Sequence, residues 1–130
     1  MTILVAYAPR PEGNAALQKG IELAKQQQVK LLVVNASPGG NEEDAAMADA
    51  TDIERIEDLL AKSGVDAEVK QFVRGNDAVT EIEALVSSRN IDLVIIGLRK
   101  RTAVGKLLLG SVAHDILMSV PCPVLAVKAS

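Results

Sequence analysis

The chain has 130 residues, of which 48% are hydrophobic and 24% charged, and a formal net charge of −3. That bounds it to a single domain, residues 1–130, whose core needs no metal or disulfide staples, and excludes an intrinsically disordered polymer. No apolar run reaches the roughly 20 residues of a membrane span, and 14 basic against 17 acidic residues is the wrong balance for a domain held by nucleic-acid phosphates.

The predicted elements alternate regularly. Ile3-Leu4-Val5-Ala6 reads as a buried strand, continuous in its apolar character as parallel strands tend to be. A helix is expected over residues 12–28 with Leu17, Ile21 and Ala24 on one face. Leu31-Leu32-Val33-Val34 is a second strand, closed by the breaker run Ser37-Pro38-Gly39-Gly40-Asn41. Thr51-Asp52-Ile53-Glu54 has capping-box spacing, so a second helix is expected to start there, with Ile53, Ile56 and Leu60 inward and Ser63-Gly64 as its stop. Residues 67–72 alternate and predict a third strand near a sheet edge. Asn76 or Asp77 can cap a third helix carrying Val79, Ile82 and Val86. Asp92-Leu93-Val94-Ile95-Ile96 is the fourth strand, ended by Gly97. A last helix over residues 111–119 precedes Pro121-Cys122-Pro123 and the terminal strand Val124-Leu125-Ala126-Val127.

Five strands alternating with four helices define an α/β fold, because each parallel crossover needs a helix. The expected form is a doubly wound five-stranded parallel sheet, Rossmann-like, of order 3-2-1-4-5 with helices on both faces. In such a sheet ligands sit at the carboxyl ends of the strands where the winding reverses. That place is flanked here by residues 7–12 and by residues 97–111.

Two segments of the chain differ sharply in charge. Residues 42–58 carry eight acids against Arg55, a pattern that a solvated face explains. Residues 97–111 hold Arg99, Lys100, Arg101 and Lys106 with no acid, together with Gly97, Gly105 and Gly110. Glycines let backbone N–H groups approach a ligand, and Gly110-Ser111 stands where the last helix should begin, a ready anion site. Ser111 can cap that helix or donate its hydroxyl to a phosphate. A solvated loop is the alternative. The segment is neither a P-loop nor a dinucleotide fingerprint, since Tyr7-Ala8-Pro9 follows the first strand.

At these residues the chain resembles the universal stress proteins. Gly97-Leu98-Arg99-Lys100, nine further residues and Gly110-Ser111 are similar to the family's Gly-x-x-Gly-x9-Gly-Ser/Thr segment. Leu107-Leu108-Leu109-Gly110-Ser111-Val112, the closing Cys122-Pro123-Val124-Leu125-Ala126-Val127, Pro11-Glu12 and the Val73-Arg74-Gly75 turn extend the likeness over essentially the whole chain.

The resemblance implies an adenine nucleotide, ATP or AMP with or without Mg2+, between the first and fourth strands. Ala6, Tyr7 and Ala8 would border it, and main-chain groups at Ala36 and Ile96 would hold the base. Gly97, Gly110, Ser111 and Val112 would cradle the phosphates, with Arg99 and Lys100 as charge partners. Two residues depart from the pattern. Ala8 stands where nucleotide-binding members place an Asp for the ribose, a loss of about 1.5–3 kcal/mol. Lys100 replaces the middle glycine, at a cost of about 1–2 kcal/mol if that backbone is left-handed. The alternative is a nucleotide-free dimeric interaction protein. Both readings imply a homodimer through Val124–Val127, whose apolar edge would otherwise be open.

The remaining residues carry less. Cys122 alone forms no intramolecular disulfide, and Met1-Thr2-Ile3-Leu4-Val5 enters a strand without a charged leader, so the cytoplasm is expected. Cys122 reads as a small packed residue rather than a nucleophile. His114 and Asp115, adjacent on a helix, should point about 100° apart and form no relay. No metal set is visible. No base is poised for hydrolysis, so slow ATP turnover is the most an enzyme reading would allow. With Tyr7 and Phe72 as the only aromatic residues, single-strand nucleic-acid stacking is excluded as well.

Overall fold

Strand parity sorts the core into two halves. The structure, a computed structural model, describes residues 1–35, 49–71, 78–100 and 107–129. Along β1 (Thr2–Tyr7), Ile3, Val5 and Tyr7 enter one buried cluster while Leu4 and Ala6 enter the other, as the two-residue period of a strand requires. β2 (Lys30–Asn35) divides in the same way, Leu31 and Val33 from Leu32 and Val34. A strand apolar on both sides must be covered on both sides. α1 (Pro11–Gln27) and α2 (Ala50–Ser63) cover the first side with Leu17, Ile21, Ile56 and Leu60. α3 (Ala78–Ser88) and α4 (Ser111–Ser119) cover the second with Ile82, Val86 and Ile116. Each such side chain, fully buried, contributes about 1.5–3 kcal/mol.

The remaining strands are β3 (Ala67–Lys70), β4 (Ile91–Lys100), β5 (Leu107–Leu108) and β6 (Val124–Lys128). β3, β2, β1, β4 and β6 lie side by side and all parallel. Counting the terminal strand as the fifth, this is the expected order 3-2-1-4-5. β3 takes the predicted edge position.

Three expectations need correction. Gly97 does not end the fourth strand. β6 pairs with β4 through Gly97 and Leu98, and β5 pairs antiparallel with Arg99 and Lys100, so ladder bonds carry β4 on to Lys100. β5 itself, two residues long, was not foreseen. Third, α2 is capped by Asp49, whose Oδ1 accepts the backbone N–H of Asp52 at 2.8 Å, so the helix begins at Ala50 rather than at the Thr51 capping box. The proposed caps Asn76 and Asp77, and Phe72 at the end of the third strand, lie outside the described residues.

Candidate functional site

β1 is flanked by β2 on one side and β4 on the other, and the chain winds outward from it in both directions. The crevice expected of a doubly wound sheet therefore lies beyond the carboxyl ends of β1 and β4. α1 starts at this edge with Pro11 in its first turn, where a missing N–H costs nothing. Its first turn is pressed onto both strands. A Cβ on Gly13 would overlap the carbonyl oxygen of Ala8, and one on Gly97 would overlap the carbonyl oxygen of Glu12. Glycine at 97 is thus accounted for by the approach of α1, backbone to backbone. The two segments flanking the crevice meet rather than splay apart.

Arg99 lies two residues beyond Gly97 and so on the same side of β4. Its Nε is 3.5 Å from Glu12 Oε2, with the Glu12 side chain 15% and the Arg99 side chain 42% exposed. The guanidinium also reaches α4, since a Cβ on Gly110 would sit 3.7 Å from Arg99 Nη2. Gly110 is the N-cap of α4, offers no side-chain cap, and accepts the backbone N–H of His114 at 2.8 Å. Ser111 is consequently the first residue within the helix and does not cap it. The N–H groups of this first turn, which have no partner within the helix, carry a partial positive charge beside a half-exposed guanidinium. A separate cleft of about 310 Å³ between α3 and α4 opens at Ser111 and Val112 and runs past the Asp115 carboxylate to Met118 and Ser119, with no cation among the described residues of its lining. Arg99 and the start of α4, apart from that cleft, have the chemistry of an anion receiver.

Tyr7 is placed at the same edge, but its ring points the other way. Parity turns it under α2, where it is 1% exposed. Its hydroxyl donates to Asp52 Oδ2 at 2.7 Å and accepts from Arg55 Nη2 at 3.1 Å. Arg55 continues to Asp52 Oδ1 at 2.9 Å and to Asn14 Oδ1 at 3.2 Å, so the network ties β1, α1 and α2 together. Burial, and then the bond to the Asp52 carboxylate, push the phenol up from 10.0 to about 12. The main-chain oxygen of Tyr7 accepts from Asn35 Nδ2 at 3.1 Å, and Asn35 Oδ1 accepts from Gln71 Nε2 at 3.0 Å. Asn35, 3% exposed, thus braces the carboxyl ends of β1 and β2. None of Asn14, Asn35, Asp52, Arg55 or Gln71 was singled out from sequence as a site residue. Asn35 had a signal, an amide closing an otherwise apolar strand; the others had none.

Among the expected nucleotide contacts, the structure sets Arg99 against Gly110, with Ser111 and Val112 next in the first turn of α4, while the space at Gly97 is taken by the backbone of Glu12. Ala6 is buried in the core on the α3 and α4 side, where Val112 also packs. Ala8 carries the β1 end into α1, its oxygen accepting from Arg10 N at 2.7 Å. Ile96 is 1% exposed and pairs with Ala126. Ala36 and the side chain of Lys100 lie outside the described set. Away from the edge, His114 Nδ1 and Asp115 Oδ1 come within 3.5 Å on the exposed face of α4. Their side chains therefore lean together rather than diverge, although 3.5 Å is at the outer limit of a hydrogen bond. Burial pushes the Cys122 thiol up, which keeps it protonated, as a packed residue would be. No described helix is long and apolar enough to cross a membrane.

Comparison with known proteins agrees with this fold. The universal stress protein family matches residues 1–128. A universal stress protein from Mycolicibacterium smegmatis is 45% identical over 126 residues, covering 97% of this chain and 96% of the relative. The structure of a universal stress protein from Archaeoglobus fulgidus superposes with a TM-score of 0.76 at 26% identity, over 98% of this chain and 97% of that one. A second structure from the same organism, a universal stress protein in complex with dAMP, gives a TM-score of 0.68 at 20% identity, over 98% and 96% of the two chains.

Proposed function

The chain belongs to the universal stress protein family, and on that premise we propose that it binds an adenine nucleotide, ATP or AMP, across the carboxyl ends of β1 and β4. The observation that carries this reading is the placement of Arg99 between the first turn of α1 and the side-chain-uncapped start of α4. Arg99 and Lys100, with the N–H groups around Gly110, Ser111 and Val112, meet the phosphates. Main-chain groups at Ala36 and Ile96 hold the base, and the main chain of Ala6, Tyr7 and Ala8 borders the nucleotide. The dAMP complex of a protein with this fold supports the ligand class. Ala8 supplies no carboxylate to the ribose, which lowers affinity by about one to two decades.

The protein acts in the cytoplasm as a homodimer, with β6 pairing to its copy. β6 is an edge strand with Leu125 36% exposed, and Leu117 and Met118 of the preceding helix are exposed as well. An open apolar edge of this kind is a template for pairing. A second reading, a dimeric interaction protein without nucleotide, is favoured by Ala8.

Thermal-shift titration with ATP and AMP, with mass spectrometry of the denatured, freshly purified protein, separates the two. Ligand at 100 times its dissociation constant adds about 2.7 kcal/mol, a rise of about 10 °C for a chain of this length. No shift at millimolar nucleotide, and nothing retained on purification, would refute the nucleotide reading and leave the dimer.

A further inference from the structure

We propose that Glu12 sets the phosphate-charge preference of this site, holding Arg99 and opposing each additional negative charge brought to it. The inference rests on the nucleotide reading above and deepens it. Glu12 occupies the first turn of α1, where a carboxylate is favoured by the helix dipole. Its backbone is wedged against β4 at Gly97, so its side chain is delivered to the stretch of strand that carries Arg99. The pair lies at 3.5 Å, and the carboxylate is the less exposed partner.

Arg99 also lies against Gly110 at the start of α4. A phosphate seated on that helix start would therefore find its guanidinium already shared with a carboxylate. The positive charge of Arg99 is already partly offset by Glu12 at ion-pair distance, and the carboxylate repels the newcomer. That repulsion grows with the charge of the ligand. A monophosphate loses least and a triphosphate most. Glu12 is in this sense a specificity residue, acting through Arg99 and through its own field, and requires no contact with the base or sugar.

The test is isothermal titration calorimetry of the full chain with ATP and with AMP, at low ionic strength and with EDTA so that no cation neutralises the phosphates. Glu12→Gln keeps the size and removes the charge. It is expected to raise ATP affinity by about tenfold and AMP affinity by about threefold or less, so that the ATP-to-AMP affinity ratio rises at least about threefold. Glu12→Asp keeps the charge and should leave that ratio within about twofold of the parent. A merely structural role would weaken both nucleotides alike and leave the ratio in place.

An unchanged ratio in a folded Glu12→Gln protein overturns the proposal while nucleotide binding stands. So does a Glu12→Asp protein that behaves as Glu12→Gln does, because charge would then not be the cause. A Glu12→Gln protein that fails to fold assigns the residue to the scaffold and overturns it too. Absence of binding by the parent and both variants refutes the nucleotide reading itself, and the inference with it.

Discussion

Replacing Gly97 by alanine probes the junction on which the site is built. The added methyl overlaps the carbonyl oxygen of Glu12 and falls 2.8 Å from its Cβ, well inside the roughly 3.5–4.0 Å at which carbon atoms rest against one another. The first obstacle is main chain and the second is fixed to it, so no rotamer change relieves the clash. Either the first turn of α1 lifts or β4 bends. Overpacking costs about 1–3 kcal/mol when side chains can yield, and an immovable neighbour places this substitution at the upper end, near 3 kcal/mol. At about 2.1 cal/mol/K of unfolding entropy per residue, each kcal/mol lowers the Tm of a chain this long by about 4 °C. The expected drop is therefore about 11 °C, read by circular dichroism or calorimetry on ligand-free protein. A drop below about 3 °C would refute the account of Gly97 as a close-packing glycine. Loss of nucleotide binding at unchanged Tm would return it to the ligand.

Two further substitutions test the elements behind the site. Tyr7→Phe removes a hydroxyl bonded to Asp52 and Arg55 and should cost about 1–2 kcal/mol near pH 8. The Tyr7 phenol titrates at about 12 in the folded chain against 10.0 ordinarily, so its contribution is whole below pH 10 and is lost as pH rises toward 12. Urea melts should show the gap between parent and Tyr7→Phe narrowing over that interval, and a constant gap contradicts the network. Asp49→Ala removes the cap of α2 and should cost about 1 kcal/mol; a Tm within about 1 °C of the parent would place the cap elsewhere.

The architecture could be read from the sequence because its determinants are local and redundant. Leu31 to Val34 and Leu93 to Ile96 are apolar without alternation, and only a sheet covered on both faces satisfies such strands. Gly64 stops α2 with φ +77° where its position after Ser63 predicts. What could not be read depends on pairs remote in sequence. Gly97 breaks a strand by its own propensity, yet β5 and β6, arriving from later in the chain, supply the ladder that continues it. Asp49 and Thr51 both offer capping oxygens, and spacing to Glu54 favoured the wrong one. For the proposed site, the basic run and Gly110-Ser111 pointed to the stretch where Arg99 meets the start of α4. The same pattern gave no hint that Arg99 would already face a carboxylate, because Glu12 is 87 positions earlier and only the seating of α1 on Gly97 brings them together. Tyr7 shows the same limit, since its place at the end of β1 was legible and the inward turn of its ring followed only from the sheet's register with α2.

With no Trp and a single Tyr in the whole chain, the near-ultraviolet spectrum of this protein is in effect that of Tyr7. That chromophore lies beneath α2, bound to one carboxylate and one guanidinium. Its absorbance band and emission therefore serve as a built-in optical gauge of whether α2 is seated on β1, readable during folding or titration without any attached dye. Phe72, the other ring, absorbs too weakly and too far to the blue to obscure it.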